Sequence, residues 1–446
     1  MRHSTRFSAV KYNTVVGISH GYSDGIKILK RLILHFNRNR VMRAVVTACL
    51  MYTMGNAWSA ALGTEPARAF LDNNLRCVDL SDLTSSVPLT VNQTTQILWR
   101  TETWEHNTFD QNDNDSVGYP SIVRNDRGRN PDGKYYLFYA HHDPCSCIGC
   151  AVSDSIEGPY RKLSTVDKKR RDSIVLANPH YPIKNPPVSD PSHFSSPCIL
   201  WNEKEKLWFM YFHYYNHFND AWKTAGGFGY GHQMTALATC SSLASHTWTV
   251  VNDPKVGKVS VWNLAPVLPT TELHWMNSQS SYHTIQRLVD GKWLAFLRGT
   301  SVDQITQLGF ATSRDGRKWT YSPANPVIRQ NDSGDGKKSI YRPYLVGYLG
   351  INKAGKNEYL LAWGESPAEG DVPKVIYGYT TDFTTIQRDP RGYADWGSVL
   401  DGQISPWREG NKLYLFAGKH LHVMILPVSL KASEPTKKDG QYRRTR

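Results

Sequence analysis

Five stretches of the chain share one pattern of apolar and polar residues. Each begins with a polar residue, in four cases followed by proline, continues with a few apolar residues and a charged turn, and ends in a run rich in Tyr and Trp. This pattern predicts an antiparallel pair of strands joined by a tight turn. The first strands begin at Tyr119, Ser196, His283, Arg342 and Ser405, and the second strands contain KYYLFYAHH, LWFMYFHYY, KWLAFLRG, EYLLAWGES and KLYLFAGKH.

Repetition of a strand pair at intervals of roughly 60 to 90 residues is typical of a radial array of small antiparallel sheets. A third element recurs after four of the pairs, and its turn residues suit an outer hairpin; it occupies residues 148–160, 235–248, 308–321 and 375–387. Residues 94–102 are expected to supply a strand that closes the last sheet against the first. Since the body shows no sustained helical period, we predict an all-β fold, a five-bladed β-propeller over residues 94–430.

The two ends of the chain differ from this body. Basic residues precede the apolar segment 44–55 and small residues follow it, which is typical of a secretory signal, with an uncleaved anchor as the alternative. We predict a leader over residues 1–61, starting at Met1 or Met42, a segment 62–93 that leads into the propeller, and a disordered basic tail over 431–446. Both alternatives predict that the body is exported, and the favoured secretory signal predicts a secreted or periplasmic protein, which we expect to be a monomer without a stable membrane span.

The net charge of +13 is concentrated at the chain ends. Residues 1–43 carry nine Lys and Arg against one Asp, and residues 431–446 carry six against two acidic residues, so the body between them is close to neutral. A protein that binds nucleic acid needs its positive charge on the folded body. No nucleic-acid partner is therefore predicted.

Six of the seven cysteines follow the leader, and three of them lie within residues 145–150. An even number in an exported chain permits disulfides, although the pairing cannot be derived from sequence. Structural zinc usually takes four ligands from two well-spaced pairs, and no clear second pair is present. Local disulfides or buried thiols are favoured over metal, and no cofactor is predicted.

The sequence YPSIVRN, followed by GKYYLFYAHH and IGCAVSDSIEGPY over residues 119–160, resembles the first blade of the five-bladed β-propeller glycoside hydrolases, a superfamily that includes families 43, 32, 68 and 117. The resemblance implies a glycosidase, an O-glycosyl hydrolase in which two carboxyl groups act as acid and base. It also implies a cation at the propeller axis, for which no ligand set can be named. In family 43 the base is an Asp that opens the first inner strand, whereas Tyr119, Ser196 and Arg342 precede the prolines here.

If inner strands begin where the central funnel opens, the antiparallel second strands end on the same face. The acid and base are therefore sought in loops and at second-strand ends, with Asp190 or Asp115 as base, Glu365 as acid, and Asp143 raising the proton affinity of the acid. The residues expected to bind substrate are Tyr119, His193, His213, His283, Arg298 and Arg342.

The expected partner is an oligo- or polysaccharide. Because the planar fork of arginine matches carboxylate and sulfate groups, an acidic glycan is one interpretation. The alternative function is a propeller that binds carbohydrate without cleaving it, using Trp104, Tyr119, Tyr214 or Trp222 as platforms for sugar rings. A platform for protein interactions is a third hypothesis, which the His and Arg residues at the strand ends make less attractive.

Overall fold

The computed structural model describes residues 72–81, 95–105, 117–141, 146–178, 194–215, 233–252, 264–271, 273–303, 305–330, 340–365, 374–394, 403–410, 412–419 and 422–429. The predictions of a leader, a signal segment and a basic tail lie outside these residues. So do four predicted site residues, namely Asp115, Asp143, Asp190 and His193.

The first two meanders follow the predicted strand pairs. The first contains β2 (Gly118–Arg124), β3 (Tyr135–Ala140), β4 (Ile148–Ser153), β5 (Arg161–Lys162) and β6 (Ile174–Leu176), with the short helix α1 (Leu163–Val166) after β5. The second contains β7 (Phe194–Asn202), β8 (Leu207–Tyr215), β9 (Gln233–Cys240) and β10 (Thr249–Val250). Short 3-10 turns lie at Thr103–Glu105, Leu243–Ser245 and His274–Met276.

The remaining meanders repeat this order. The third contains β11 (Gln279–Arg287), β12 (Trp293–Thr300), β13 (Thr306–Ser313) and β14 (Trp319–Tyr321). The fourth contains β15 (Ile340–Ile351), β16 (Asn357–Glu365), β17 (Lys374–Thr380) and β18 (Gln387–Ala394). The fifth contains β19 (Ile404–Glu409), β20 (Lys412–Lys419) and β21 (His422–Ser429), and its fourth strand is β1 (Thr95–Trp99).

Strand β1 closes the last meander, as the sequence predicts for residues 94–102. It pairs antiparallel with β21, from Thr95 opposite Ile425 to Trp99 opposite His422. A strand from the N-terminal side of the body thereby completes a sheet whose other strands come from its C-terminal side. This pairing fastens the two ends of the repeat array together.

Five apolar layers separate successive meanders. In β3, Tyr136 and Phe138 pack with residues of the second meander, whereas Leu137 and Tyr139 belong to the layer shared with the fifth. Similar layers join the second meander to the third, the third to the fourth, and the fourth to the fifth. Because strand side chains alternate between faces, each sheet buries both. All six residues of β3 are accordingly buried.

The four hydrogen-bonded sheets do not coincide one to one with the meanders. The second and third meanders are joined by one parallel pair, Gln233 opposite Gln279, into a single eight-stranded sheet. The prediction of an all-β fold is confirmed, while the count of five blades stays a prediction.

Within the part of the chain that the structure describes, no helix has the length and apolar character that a membrane crossing needs.

Four inner strands carry the same irregularity near their first residue. The pairing of β2, β7, β11 and β15 with the next strand shifts register at this point. The bulged residues have left-handed backbone angles, with φ of 53° at Tyr119, 50° at Ser196, 45° at Tyr282 and 48° at Arg342. Proline follows three of them, and because proline lacks an N–H group it fits a position outside the ladder. We call these four residues the floor ring, and the end of the array where they lie the funnel end.

Candidate functional site

The floor ring brings together side chains from separate meanders. A bulge at the same place in each inner strand re-aims the side chain of its left-handed residue. Non-glycine residues in this conformation carry a backbone cost of about 1 kcal/mol or more, and such residues cluster at functional sites. The repeated strain at the funnel end therefore marks it as the candidate site.

Two arginines and two tyrosines form the centre of this site, and we call them the arginine–tyrosine cluster. The guanidinium carbon of Arg342 lies 5.6 Å from the ring centroid of Tyr119 and 5.8 Å from that of Tyr282. The guanidinium carbon of Arg298 lies 4.0 Å from the same Tyr282 centroid. The two tyrosine rings are 6.2 Å apart. Cations within about 6 Å of an aromatic face are attracted by the ring quadrupole, so each tyrosine helps to fix an arginine.

Three uncharged acceptors contact the Nη2 group of Arg298. This arginine lies on β12 and only 8% of it is exposed. Its Nη2 group donates to Oε1 of Gln279 at 2.6 Å, and longer contacts of 3.4 Å reach Oε1 of Gln233 and Oγ of Ser281. A buried guanidinium with this support is pre-organised for an incoming acceptor.

The third repeat begins one residue earlier than the sequence pattern suggests. Tyr282 occupies the floor-ring position, and the following residue, His283, is 1% exposed. Nδ1 of His283 lies 3.0 Å from Oγ1 of Thr235, and because the Thr235 hydroxyl donates to the Ser280 carbonyl, we assign the imidazole hydrogen to Nδ1. Burial lowers the pKa of His283 to about 3, against a smaller opposing effect from the backbone of Tyr211.

The other described histidines at strand ends contact aromatic rings. His213, near the end of β8, is fully buried, and its ring centroid is 4.6 Å from that of Tyr282. His213 therefore packs against the Tyr282 ring of the arginine–tyrosine cluster. His141 follows β3 and lies 5.5 Å from Trp104, which also stacks on Tyr139 at 5.7 Å. Trp104 and the candidate platform Tyr214 are both buried in apolar layers.

Glu365 is the one predicted carboxylate among the described residues. It ends β16 opposite Ile340, the first residue of β15, and is 1% exposed. Its Oε1 accepts the Trp363 indole N–H at 2.8 Å and pairs with Arg388. Its Oε2 is buried without a hydrogen-bond partner among the described residues. The carboxylate is thus anchored through one oxygen at the funnel end.

A small axial cavity of about 40 Å³ is lined by residues of the inner strands, beginning two positions after the floor-ring residues in sequence. Side-chain hydrogen bonds encircle it: Oγ of Ser405 accepts the N–H of Ile122 at 3.1 Å, and Oγ of Ser121 accepts the N–H of Ile199 at 3.0 Å. Gln286 and Gln403 donate their amide nitrogens to backbone carbonyls, which leaves their buried Oε1 atoms without partners among the described residues. These uncharged oxygens suit a hard cation or a water molecule. The axial cation implied by the family resemblance stays a prediction.

The cysteine cluster shows no metal geometry within the described residues. The five described cysteines, Cys77, Cys147, Cys150, Cys198 and Cys240, are buried free thiols. No group of three or more His, Cys, Asp or Glu side chains in the described ranges is arranged to hold a metal ion. Burial raises the pKa of Cys198, which lines the axial cavity, to about 12. Its thiol is therefore kept in the protonated form.

The structure brings four of the predicted site residues together, namely Tyr119, His213, Arg298 and Arg342, around Tyr282. His283 lies behind Tyr282, and Glu365 lies at the same end of the fourth meander as Arg342. Sequence reasoning missed Tyr282 because the third repeat has no proline to mark the bulge. It also missed Gln279, Gln233 and Arg388, for which the sequence carries no periodic signal.

No family model matches the chain. A segment of 84 residues is 34% identical to extracellular endo-α-(1→5)-L-arabinanase 2 of Bacillus subtilis (strain 168). A segment of 88 residues is 32% identical to the extracellular endo-α-(1→5)-L-arabinanase of Thermotoga petrophila. Each segment covers 18% of this chain and 17% of the relative. The chain thus spans less than a fifth of the length of these curated relatives.

Several solved structures are similar to this chain at low identity. They include a thermostable family-43 glycoside hydrolase (13% identity, TM-score 0.45, covering 76% of this chain and 99% of that chain). An endo-arabinase from Bacteroides thetaiotaomicron shares 10% identity with a TM-score of 0.45 over 72% and 96% of the two chains. A family 117 glycoside hydrolase from Zobellia galactanivorans shares 14% identity with a TM-score of 0.42 over 71% and 78%. The resemblance to glycoside hydrolases is confirmed by the two arabinanase segments, each of which covers 18% of this chain.

Proposed function

We propose that the protein hydrolyses glycosidic bonds of an extracellular or periplasmic carbohydrate, with Glu365 as the general acid. The observation that carries this proposal is the hydrogen bonding of the two oxygen atoms of the Glu365 carboxylate. Two donors hold Oε1, whereas buried Oε2 has no partner among the described residues. A buried acceptor of this kind calls for a ligand or a proton, and a carboxylic acid with one fixed oxygen is oriented to protonate a leaving oxygen.

The second carboxylate of the mechanism is proposed to be Asp190 or Asp115, acting as base or nucleophile, with Asp143 close enough to raise the proton affinity of the acid. The sequence predicts Asp115 and Asp190 in loops and Asp143 at the end of a second strand, and all three lie outside the described ranges. A separation of about 5 Å from Glu365 gives retention of anomeric configuration, and about 6.5–9.5 Å gives inversion. The arginines of the arginine–tyrosine cluster would bind the sugar next to the bond that is cleaved, with His213 packed against Tyr282.

The relatives named as arabinanases indicate which substrate to test first, α-1,5-linked arabinan, followed by acidic polysaccharides. Exchanging Glu365 for Gln removes the proton donor while conserving shape. We expect the rate of reducing-end release to fall by about 100-fold to 10,000-fold, the usual contribution of general acid–base catalysis. Circular dichroism and substrate affinity should change little.

The matched control is Glu409→Gln. Glu409 ends β19 at the end away from the floor ring, and its carboxylate accepts the Tyr135 hydroxyl at 2.6 Å. We expect this variant to keep the wild-type rate. A Glu365→Gln protein that cleaves the substrate as fast as wild type would show that the acid is another residue.

Binding of carbohydrate without cleavage is the second candidate function. One observation favours it: the floor ring consists of Tyr119, Ser196, Tyr282 and Arg342, with no carboxylate among them. Under this alternative, prolonged incubation of wild-type protein with every tested polysaccharide yields no products. Affinity would nonetheless be measurable and would fall when Tyr282 is changed to Ala.

A further inference from the structure

The arginine–tyrosine cluster carries two positive charges next to one aromatic ring. Arg298 and Arg342 belong to different strands, β12 and β15, yet both contact Tyr282. Two guanidinium groups on one aromatic ring form a positively charged site, which favours anionic ligands. Burial lowers the pKa of the nearby His283 to about 3, so this imidazole is neutral at pH 7 and adds no third charge.

The two guanidinium groups differ in a way that suits ligand capture. Arg298 is nearly buried and is fixed by the amide oxygen of Gln279 at 2.6 Å. Arg342 is half-buried and is presented by its left-handed position, so an incoming ligand can reach it. One arginine thus provides a fixed positive charge inside the site, and the other provides an accessible planar fork. This fork geometry matches the two oxygens of a carboxylate or a sulfate.

A second observation in the floor ring points to a ligand independently of the arginines. Ser196 occupies the equivalent bulge in β7, is fully buried, and its Oγ has no hydrogen-bond partner among the described residues. The neighbouring Ser195 hydroxyl is also buried and unpartnered within the same ranges. Buried hydroxyl groups are nearly always hydrogen-bonded in native proteins. The Ser196 hydroxyl, at the bulge position, would be satisfied by an oxygen atom of a ligand at the floor of the funnel.

We propose that the floor ring and Arg298 form a subsite for a sugar residue that bears an anionic group, either a carboxylate as in a uronic acid or a sulfate ester. This inference rests on the proposed function, because it takes the funnel end as the carbohydrate site. The anionic group lies against Arg342 and Arg298, which the buried rings of Tyr119 and Tyr282 help to fix, and Ser196 donates to a ligand oxygen. The substrate class is accordingly an acidic polysaccharide, with the charged residue bound at the floor.

The test is a calorimetric titration of the full chain carrying Glu365→Gln, which prevents turnover. The ligands are an oligogalacturonate, a sulfated galacto-oligosaccharide and a neutral arabino-oligosaccharide of equal length. We expect one anionic oligosaccharide to bind at least about tenfold more tightly than the neutral one, in line with the strength of a charge-assisted bidentate pair. Whichever anionic ligand binds identifies carboxylate or sulfate as the group recognised.

Substitution of Arg342 separates a charge effect from a change in shape. Arg342→Met should lower affinity for the anionic oligosaccharide by at least about tenfold more than affinity for the neutral one, and Arg342→Lys should keep part of the preference, since lysine retains the charge but lacks the fork. The control is Arg287→Met, at the opposite end of β11, where the side chain bonds the Gly291 carbonyl at 2.9 Å. If Arg342→Met does not fold, the test is made with Arg342→Lys alone, which should show a reduced preference for the anionic oligosaccharide over the neutral one.

The outcomes distinguish this inference from the proposed function. Equal affinity for charged and neutral ligands, or an equal loss for both in Arg342→Met, overturns the anionic subsite even if the wild-type protein is an active hydrolase. Conversely, an Arg342-dependent preference for the charged ligand upholds the subsite even if wild type releases no products.

Discussion

Adjacent residues in the third inner strand have opposite roles. Tyr282 lies in the floor ring, between two arginines, while His283 points into the apolar layer and touches Thr235. The sequence pattern selects His283, since polar residues open the other repeats. In the structure Tyr282 takes the floor-ring position, because the left-handed residue of each bulge comes just before the position that proline occupies in the other three inner strands. A one-residue slip exchanges the two faces of a strand, so this distinction requires the backbone conformation.

Burial of neutral His283 makes stability depend on pH. Its pKa is about 3 in the folded protein and about 6.5 when exposed. Between pH 6.5 and 3 the unfolded chain binds a proton at this residue that the folded protein does not bind. The free energy of unfolding therefore falls as pH decreases from 6.5 toward 3, and the contribution of His283 is fully present above pH 6.5. The slope from this residue is at most about 1.4 kcal/mol for each pH unit. His283→Gln should show a smaller difference between pH 7 and pH 5 in urea denaturation.

The control for this measurement is His274→Gln. His274 is an exposed residue that pairs with Asp303 at 2.7 Å. This variant removes an imidazole at an exposed position and leaves the buried imidazole of His283 in place. Identical slopes for His283→Gln and wild type would show that His283 is protonated in the folded state or exposed to solvent.

At the scale of elements, the sequence predicts the strands well and the site residues less well. The Tyr- and Trp-rich runs become β3, β8, β12, β16 and β20, because side chains buried on both faces of a sheet leave a dense aromatic signal. Residues 94–102 contain the closing strand as expected. The sequence places the candidate carboxylates Asp115 and Asp190 in loops, where no periodicity fixes the direction of a side chain.

Strand β1 offers a matched pair of neighbouring residues. Leu98 is 2% exposed and packs in the layer between the first and fifth meanders, whereas Trp99 is 54% exposed. Leu98→Ala should lower the free energy of unfolding by about 2–4 kcal/mol, the usual cost of truncating a buried leucine. Trp99→Ala should cost less than about 1 kcal/mol. Equal losses for the two variants in equilibrium denaturation would contradict the observed facing of β1.

At the scale of the whole molecule, the array places one residue from each of four inner strands at a common floor. Five apolar layers fix the meanders against one another, and β1 joins the last sheet to the start of the body. The site is therefore built from residues far apart in sequence, such as Tyr119 and Arg342. Packing of the meanders against one another thus brings arginine and tyrosine side chains from three meanders into contact.

The most direct test of the proposed hydrolysis compares two substrates of one sugar. An aryl glycoside with a 4-nitrophenol leaving group departs without protonation, whereas the natural glycan needs an acid. If Glu365 is that acid, Glu365→Gln should lose at least about tenfold more kcat/KM on the natural glycan than on the aryl glycoside. Equal losses on the two substrates would contradict the assignment of Glu365 as the proton donor.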